Sequence, residues 1–174
     1  MEILGPKDII AYPTEAVWGL GCDPFCELAV EKIRQLKNRP SEKGMILLVN
    51  DWAEIQYLVD ADAGINWQPI RETWPGPVTW VFPASNRVPA YLQVSGSIAL
   101  RMPSFPFLRE MLEKYGNPLV STSANLSGNP PAKTAVEVAA LFPGVVIYPG
   151  QCEGRTLPSA VYDALSGKCL RKGG

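Results

Sequence analysis

The sequence predicts an α/β domain built on a mixed sheet. Three observations point there. Short apolar runs that read as strands alternate with segments carrying helical apolar stripes. The 17 prolines and 15 glycines are spread over many turns and mark no linker, and no internal repeat or low-complexity stretch interrupts the pattern. At 174 residues the chain fits one domain, residues 1–174. A chain of that size buries about 70% of its unfolded surface and needs no disulfide or metal to fold.

The elements follow in order. Met1 to Lys7 lacks the apolar centre of a signal peptide. Asp8 to Tyr12 reads as a buried strand that Pro13 ends. Thr14 to Pro24, with Gly19 and Gly21, reads as a loop or short turn. Ala29, Ile33 and Leu36 share one face of a helix, Lys32, Arg34 and Gln35 lie off that face, and Pro40 stops it. Met45 to Val49 is apolar without alternation, as in a strand covered on both faces. Trp52 to Val59 reads as helical. Arg71 to Pro77 carries a Trp-Pro-Gly-Pro turn. Val78 to Phe82 and Ile98 to Met102 read as strands. Leu108, Met111, Leu112 and Tyr115 form a helical stripe. Leu119 to Thr122 is a strand, and Thr134 with Glu137 is a capping-box pattern opening a helix to about Phe142. Val145 to Tyr148, Ala160 to Asp163 and Lys168 to Arg171 read as short closing strands.

Composition excludes several classes. The formal net charge is −1, so bulk charge does not announce a nucleic-acid binder. Any RNA contact must come from a local basic surface. The longest apolar stretch, Met45 to Val49, is too short to span a membrane, and the cytoplasm is the expected location. The cysteines are Cys22, Cys26, Cys152 and Cys169, and there is no histidine. A single short Cys22–Cys26 pair does not make a zinc site, so reduced thiols and no protein-bound metal are expected. Gly167-Lys168 is followed by Cys169 and preceded by Tyr162 where a Walker loop needs glycine, and Gly19-x-Gly21 has Pro24 in place of a third glycine. Without histidine, the Ser-His-Asp and Cys-His mechanisms fall away. Chemistry here must rest on positioning and electrostatics, with no catalytic nucleophile or base.

Three segments suit that. Lys37-Asn38-Arg39-Pro40-Ser41-Glu42-Lys43-Gly44 places three cations at a helix end. It is either a solvated, dipole-matched terminus or a phosphate clamp, with Arg39 as fork and Lys37 and Lys43 as point charges. Ser121-Thr122-Ser123-Ala124-Asn125-Leu126-Ser127-Gly128 is either a polar turn or a ring of donors for a phosphate or carboxylate. Arg101 sits in an otherwise apolar strand. It either points to water from an edge or faces a cleft to hold a carboxylate that the protein does not obviously supply.

Taken together, Tyr-Pro-Thr-Glu-Ala-Val-Trp-Gly-Leu-Gly at 12–21, Lys-Asn-Arg-Pro at 37–40, Trp-Pro-Gly-Pro-Val-Thr at 74–79, Ala-Leu-Arg-Met-Pro at 99–103 and Ser-Thr-Ser-Ala-Asn-Leu-Ser-Gly at 121–128 resemble the YrdC/TsaC family of threonylcarbamoyl-AMP synthases. The segments stand in the family's order and cover nearly the whole chain, in its short, single-domain form. The resemblance implies an open α/β sheet twisted around a concave basic cleft. It implies an enzyme that condenses L-threonine, bicarbonate and ATP, with Mg²⁺ on the ATP, to threonylcarbamoyl-AMP and pyrophosphate. A downstream complex then transfers the threonylcarbamoyl group to an adenosine beside the tRNA anticodon. Carried over, Thr14, Arg101 and Ser121 match threonine-binding positions. Lys37, Arg39, Lys43, Ser123, Asn125, Ser159 and Arg171 match ATP-binding positions. Two departures stand out. Relatives begin with an extra helix before the first strand, and longer ones carry a histidine near the position of Asn50. The residues also admit a non-catalytic module for tRNA or double-stranded RNA, and an accessory carbamoyl-transfer domain. Direct tRNA contact by an enzyme of this kind is left open.

Overall fold

The computed structural model describes residues 5, 7–40, 42–154 and 158–173. Ser41 and most of the Met1 to Lys7 segment lie outside them. The elements are β1 Ile10–Pro13, β2 Trp18–Gly21, α1 Glu27–Lys37, β3 Ile46–Leu48, α2 Trp52–Leu58, α3 Gln68–Thr73, β4 Val78–Pro83, β5 Ser97–Arg101, α4 Pro106–Tyr115, β6 Leu119–Ser123, α5 Ala135–Leu141, β7 Val146–Ile147, β8 Ala160–Asp163 and β9 Cys169–Arg171. Among the described residues the strands form one open sheet in the order β7-β1-β2-β6-β3-β5-β4-β8-β9. The pairs β1·β7, β3·β5 and β4·β8 are parallel and the rest antiparallel, so the sheet is mixed, as the alternating pattern predicts.

Three apolar clusters glue helices to this sheet. The largest gathers Val30 and Ile33 of α1, Ile55 and Leu58 of α2 and Ile70 of α3 with Leu47, Phe82 and Leu100. A second packs Leu108, Met111 and Leu112 of α4 on Ile10, Tyr12 and Leu119. A third packs Val138 and Phe142 on Trp18 and Leu20. Each fully buried Leu, Ile or Phe contributes roughly 1.5–3 kcal/mol of transfer free energy. Caps define the helix ends. Asp51 Oδ1 accepts from the Ala53 and Glu54 N–H groups at the start of α2. Thr134 Oγ1 accepts from Glu137 N–H, while Glu137 Oε2 reaches Lys133 N–H, one residue earlier than a capping box requires.

Three sequence readings are corrected. The stretch expected to be a loop after Pro13 contains β2, a fully buried strand between β1 and β6. Its glycines are demanded by packing. A Cβ on Gly21 would stand 2.6 Å from the Val120 carbonyl oxygen and 2.8 Å from Tyr12 Cε1, and one on Gly19 would stand 3.1 Å from Tyr12 Cε2. The Tyr12 ring lies against β2 only because both side chains are missing. A short helix, α3, precedes the Trp-Pro-Gly-Pro turn, where the sequence predicts a turn alone. Arg34, expected off the apolar face of α1, is buried, donating to Glu31 Oε1 at 2.5 Å and to the Tyr91 carbonyl at 2.6 Å.

Candidate active site

The middle of the sheet carries a cleft of about 500 Å³, within the range that takes small-molecule ligands. One wall is the β1–β2 hairpin loop, Thr14 to Val17. Ala99 and Arg101 of β5 and Ser121 to Ser123 of β6 lie beside it, and Arg171 stands at the other end on β9, three strands from β5, with Ser159 against it and Arg39 within reach of its charge. Seven of the ten expected site residues line the cleft: Thr14, Arg39, Arg101, Ser121, Ser123, Ser159 and Arg171. Among the described lining residues the charged groups are three arginines and one carboxylate, Glu15.

Arg101 is not an edge residue, because β5 is flanked by β3 and β4. Its Nε donates to the Gly76 carbonyl at 3.1 Å, and its Nη2 donates to Glu15 Oε1 at 2.5 Å. The Trp-Pro-Gly-Pro turn thus builds one side of the guanidinium's seat. Gly76 is tied there by its N–H to the Met102 carbonyl at 2.9 Å, and a Cβ on it would stand 2.3 Å from the Thr73 carbonyl oxygen. The expectation that the protein supplies no carboxylate for Arg101 is therefore wrong. Glu15 supplies one, from a position 3% exposed. In the sequence Glu15 stands within the 12–21 motif with no local feature that pairs it with Arg101. The signal available is a carboxylate two residues after the end of a buried strand. Thr14 closes the hairpin turn: its Oγ1 donates to the Val17 carbonyl at 2.6 Å.

The Lys-x-Arg pair splits. Asn38 adopts the left-handed conformation, φ 48°, and caps α1 with its N–H on the Arg34 and Gln35 carbonyls. Lys37 goes inward and Arg39 turns out to the cleft. Lys37 is 1% exposed, and its ammonium donates to the Ser123 carbonyl, to the Asn125 carbonyl at 2.7 Å and to Asn125 Oδ1 at 3.0 Å. Three donors meet three acceptors, so no N–H remains for a phosphate. Neither a solvated helix end nor a point charge on a phosphate matches this geometry. Burial, with the Arg39 charge adding to it, brings the Lys37 ammonium down to about 8. Asn125, expected in the nucleotide site, does not line the cleft. Its Oδ1 accepts from Lys37 and from Ser123 Oγ at 2.6 Å, and its Nδ2 donates to the Asn129 carbonyl at 2.7 Å. Lys43 is exposed and outside the lining, and only its carbonyl joins the site, accepting from Arg39 Nε at 3.2 Å. Asn50 does not line the cleft either.

Arg39 also donates from Nη2 to the Gly44 carbonyl at 2.6 Å. Arg171 Nη2 donates to the Ser159 carbonyl at 2.9 Å, and Ser159 Oγ lies 2.9 Å from Thr79 Oγ1. Burial holds both guanidiniums below their ordinary range, and at Arg39 the Arg34 and Arg171 charges add to it. All four cysteines are free: Cys22 is buried, its thiol pushed up to about 12 by burial, and Cys169 is exposed. Among the described residues no group of three or more His, Cys, Asp and Glu could hold a metal ion, and no helix is long and apolar enough to cross a membrane.

Fold and site define an open-sheet α/β protein with an arginine-lined cleft. The chain belongs to the Sua5/YciO/YrdC family, whose model, described as "Telomere recombination", matches residues 2–173. It is 43% identical over 177 aligned positions to the threonylcarbamoyl-AMP synthase of Shigella flexneri, covering 99% of this chain and 93% of that protein. Its fold superposes on P. abyssi Sua5 complexed with L-threonine with a TM-score of 0.86 at 30% identity, over 97% of this chain and 51% of that one. This chain therefore spans about half of that Sua5 chain. It superposes on E. coli YciO with a TM-score of 0.83 at 26% identity, over 99% of this chain and 86% of that one.

Proposed function

We propose that the chain is a threonylcarbamoyl-AMP synthase, a nucleotidyltransferase that condenses L-threonine, bicarbonate and MgATP to threonylcarbamoyl-AMP and pyrophosphate. One observation carries the proposal. A single cleft holds two arginines with no carboxylate in ion-pair range among the described residues, Arg39 and Arg171, at one end and a carboxylate-paired arginine, Arg101, at the other. The first end suits a polyanion and the second an amino acid. Likeness along nearly the full chain to a synthase of that name supports the reading.

In this mechanism the threonine amine and bicarbonate combine to a carbamate and water without help from a side chain. A carbamate oxygen attacks the α-phosphorus, the bond to the bridging oxygen breaks, and pyrophosphate leaves. The nucleophile is already anionic, so the missing histidine is no obstacle. Arg39 and Arg171 offset charge on the phosphates, with the Ser123 and Ser159 hydroxyls beside them. Arg101 takes the threonine carboxylate, with Thr14 and Ser121 nearby. Preorganised donors of this kind are each worth about 3–4 kcal/mol of transition-state stabilisation. Mg²⁺ travels on the triphosphate as part of the substrate. Lys37 and Asn125 act behind the cleft by holding the Ser123 turn in place. The product passes, in the cytoplasm, to a complex that transfers threonylcarbamoyl to tRNA.

The test is pyrophosphate release. It should require ATP, L-threonine and bicarbonate together, with serine a poor substitute and threonylcarbamoyl-AMP seen by mass. Release that ignores threonine, or none at all from folded protein, would sink the proposal.

A further inference from the structure

The only carboxylate among the described lining residues lies on the guanidinium meant for the substrate. Glu15 is 3% exposed, and its Oε1 accepts from Arg101 Nη2 at 2.5 Å. It belongs to the β1–β2 loop and Arg101 to the end of β5, so the pair spans the cleft between elements that are not sheet neighbours. The hairpin turn under it is closed by Thr14, whose N–H and Oγ1 both donate to the Val17 carbonyl.

We infer that Glu15 is a specificity-determining residue that reads the ammonium group of the amino-acid substrate. The inference rests on the amino-acid-dependent reading given above. Its physical basis is charge pairing. Glu15 already holds one Nη2 donor of Arg101, so a bare carboxylate that takes the guanidinium puts two carboxylates on one buried cation and leaves a surplus negative charge, a costly state. An α-amino acid avoids that cost. Its carboxylate takes Arg101 while its ammonium, one carbon away, takes Glu15. One ion pair becomes two, and no charge is stranded. The same arrangement discriminates against amines without a carboxylate, because they would bring a second cation to the Glu15 carboxylate that Arg101 already holds. The cleft therefore selects zwitterions at this end through the protein's own ion pair, before any contact reads the threonine side chain.

A purely structural Glu15, one that only orients Arg101, predicts a different pattern, and calorimetric titration of the full chain separates the two. The ligands are L-threonine, β-hydroxybutyrate (threonine without its amine) and ATP, each titrated into wild type and Glu15→Gln. Glutamine keeps the oxygen that accepts from Arg101, so the seat of the guanidinium is retained. Wild type should bind threonine at least on the order of 10-fold more tightly than β-hydroxybutyrate, the scale of one charge-assisted hydrogen bond. In Glu15→Gln, threonine should weaken by about the same factor while β-hydroxybutyrate binds equally or better, and ATP should bind as in wild type. If both carboxylate ligands weaken together in the variant, or neither changes, Glu15 does not read the ammonium and the inference is overturned. Equal affinity of wild type for threonine and β-hydroxybutyrate overturns it without any variant. If wild type binds ATP but no threonine, the synthase reading itself fails, and this inference with it.

Discussion

The two ends of the cleft treat their arginines in opposite ways. Arg101 is neutralised by Glu15 at 2.5 Å. Among the described residues Arg39 and Arg171 meet only neutral oxygens, the carbonyls of Lys43, Gly44 and Ser159 and the Ser159 hydroxyl, and no carboxylate is in ion-pair range of either. The difference matches the charges of the two proposed ligands. A triphosphate is strongly anionic and gains from cations left uncompensated in a partly desolvated cleft. Threonine carries no net charge and gains from a site that has none. A second contrast lies inside the Lys-x-Arg segment. Lys37 and Arg39 are two positions apart, yet one is a buried strut and the other a cleft donor.

The largest expected effect tests the strut. Lys37→Met removes the ammonium and strands the Ser123 carbonyl, the Asn125 carbonyl and Asn125 Oδ1. It should cost on the order of 3 kcal/mol in a denaturant melt with unchanged slope. The pH dependence adds a sign. With the folded-state value brought down to about 8 from an ordinary 10.5, the unfolded chain binds the extra proton between them. Wild-type stability relative to Lys37→Met should therefore be greatest above about 10.5 and fall as pH drops to about 8. A surface lysine would show neither the loss nor the slope.

A smaller effect sharpens the contrast between the ends. Arg171→Ala should weaken ATP by about 10-fold and leave threonine untouched, as loss of one charged donor from the nucleotide end requires. Equal loss of both ligands would mean that the ends are not separate. Smaller still, Thr14→Val removes one neutral hydroxyl and should weaken threonine by roughly 0.5–1.5 kcal/mol in a titration, with ATP unchanged.

Local features of the site were legible in the sequence, and long-range ones were not. Arg101 stands out in Ser-Ile-Ala-Leu-Arg because a cation in an apolar strand needs a partner. The identity of that partner comes from 86 positions away, and no local pattern names it. Lys37 reads as one more cation at a helix end, and its acceptors lie 86 and 88 positions on. The strand β2 was hidden by Gly19 and Gly21, which weaken any strand reading although the Tyr12 ring demands them. The helix α3 is only six residues, Gln68–Thr73, with Pro69 in its first turn, too short to show a period. By contrast β3, β4, β5, β6 and α4 were plain, because apolar runs and stripes of their length are dictated by burial alone.

The most direct test of the two-ended cleft is a crossed titration of ATP and L-threonine into Arg39→Ala and Arg101→Lys. Lysine keeps the charge of Arg101 but not its planar fork, so it should not restore carboxylate binding. The account predicts that Arg39→Ala loses ATP by on the order of 100-fold while threonine binds nearly as in wild type, and that Arg101→Lys shows the reverse. If Arg101→Lys keeps full threonine affinity, or if each variant loses both ligands in step, the division of the cleft into a nucleotide end and an amino-acid end is contradicted.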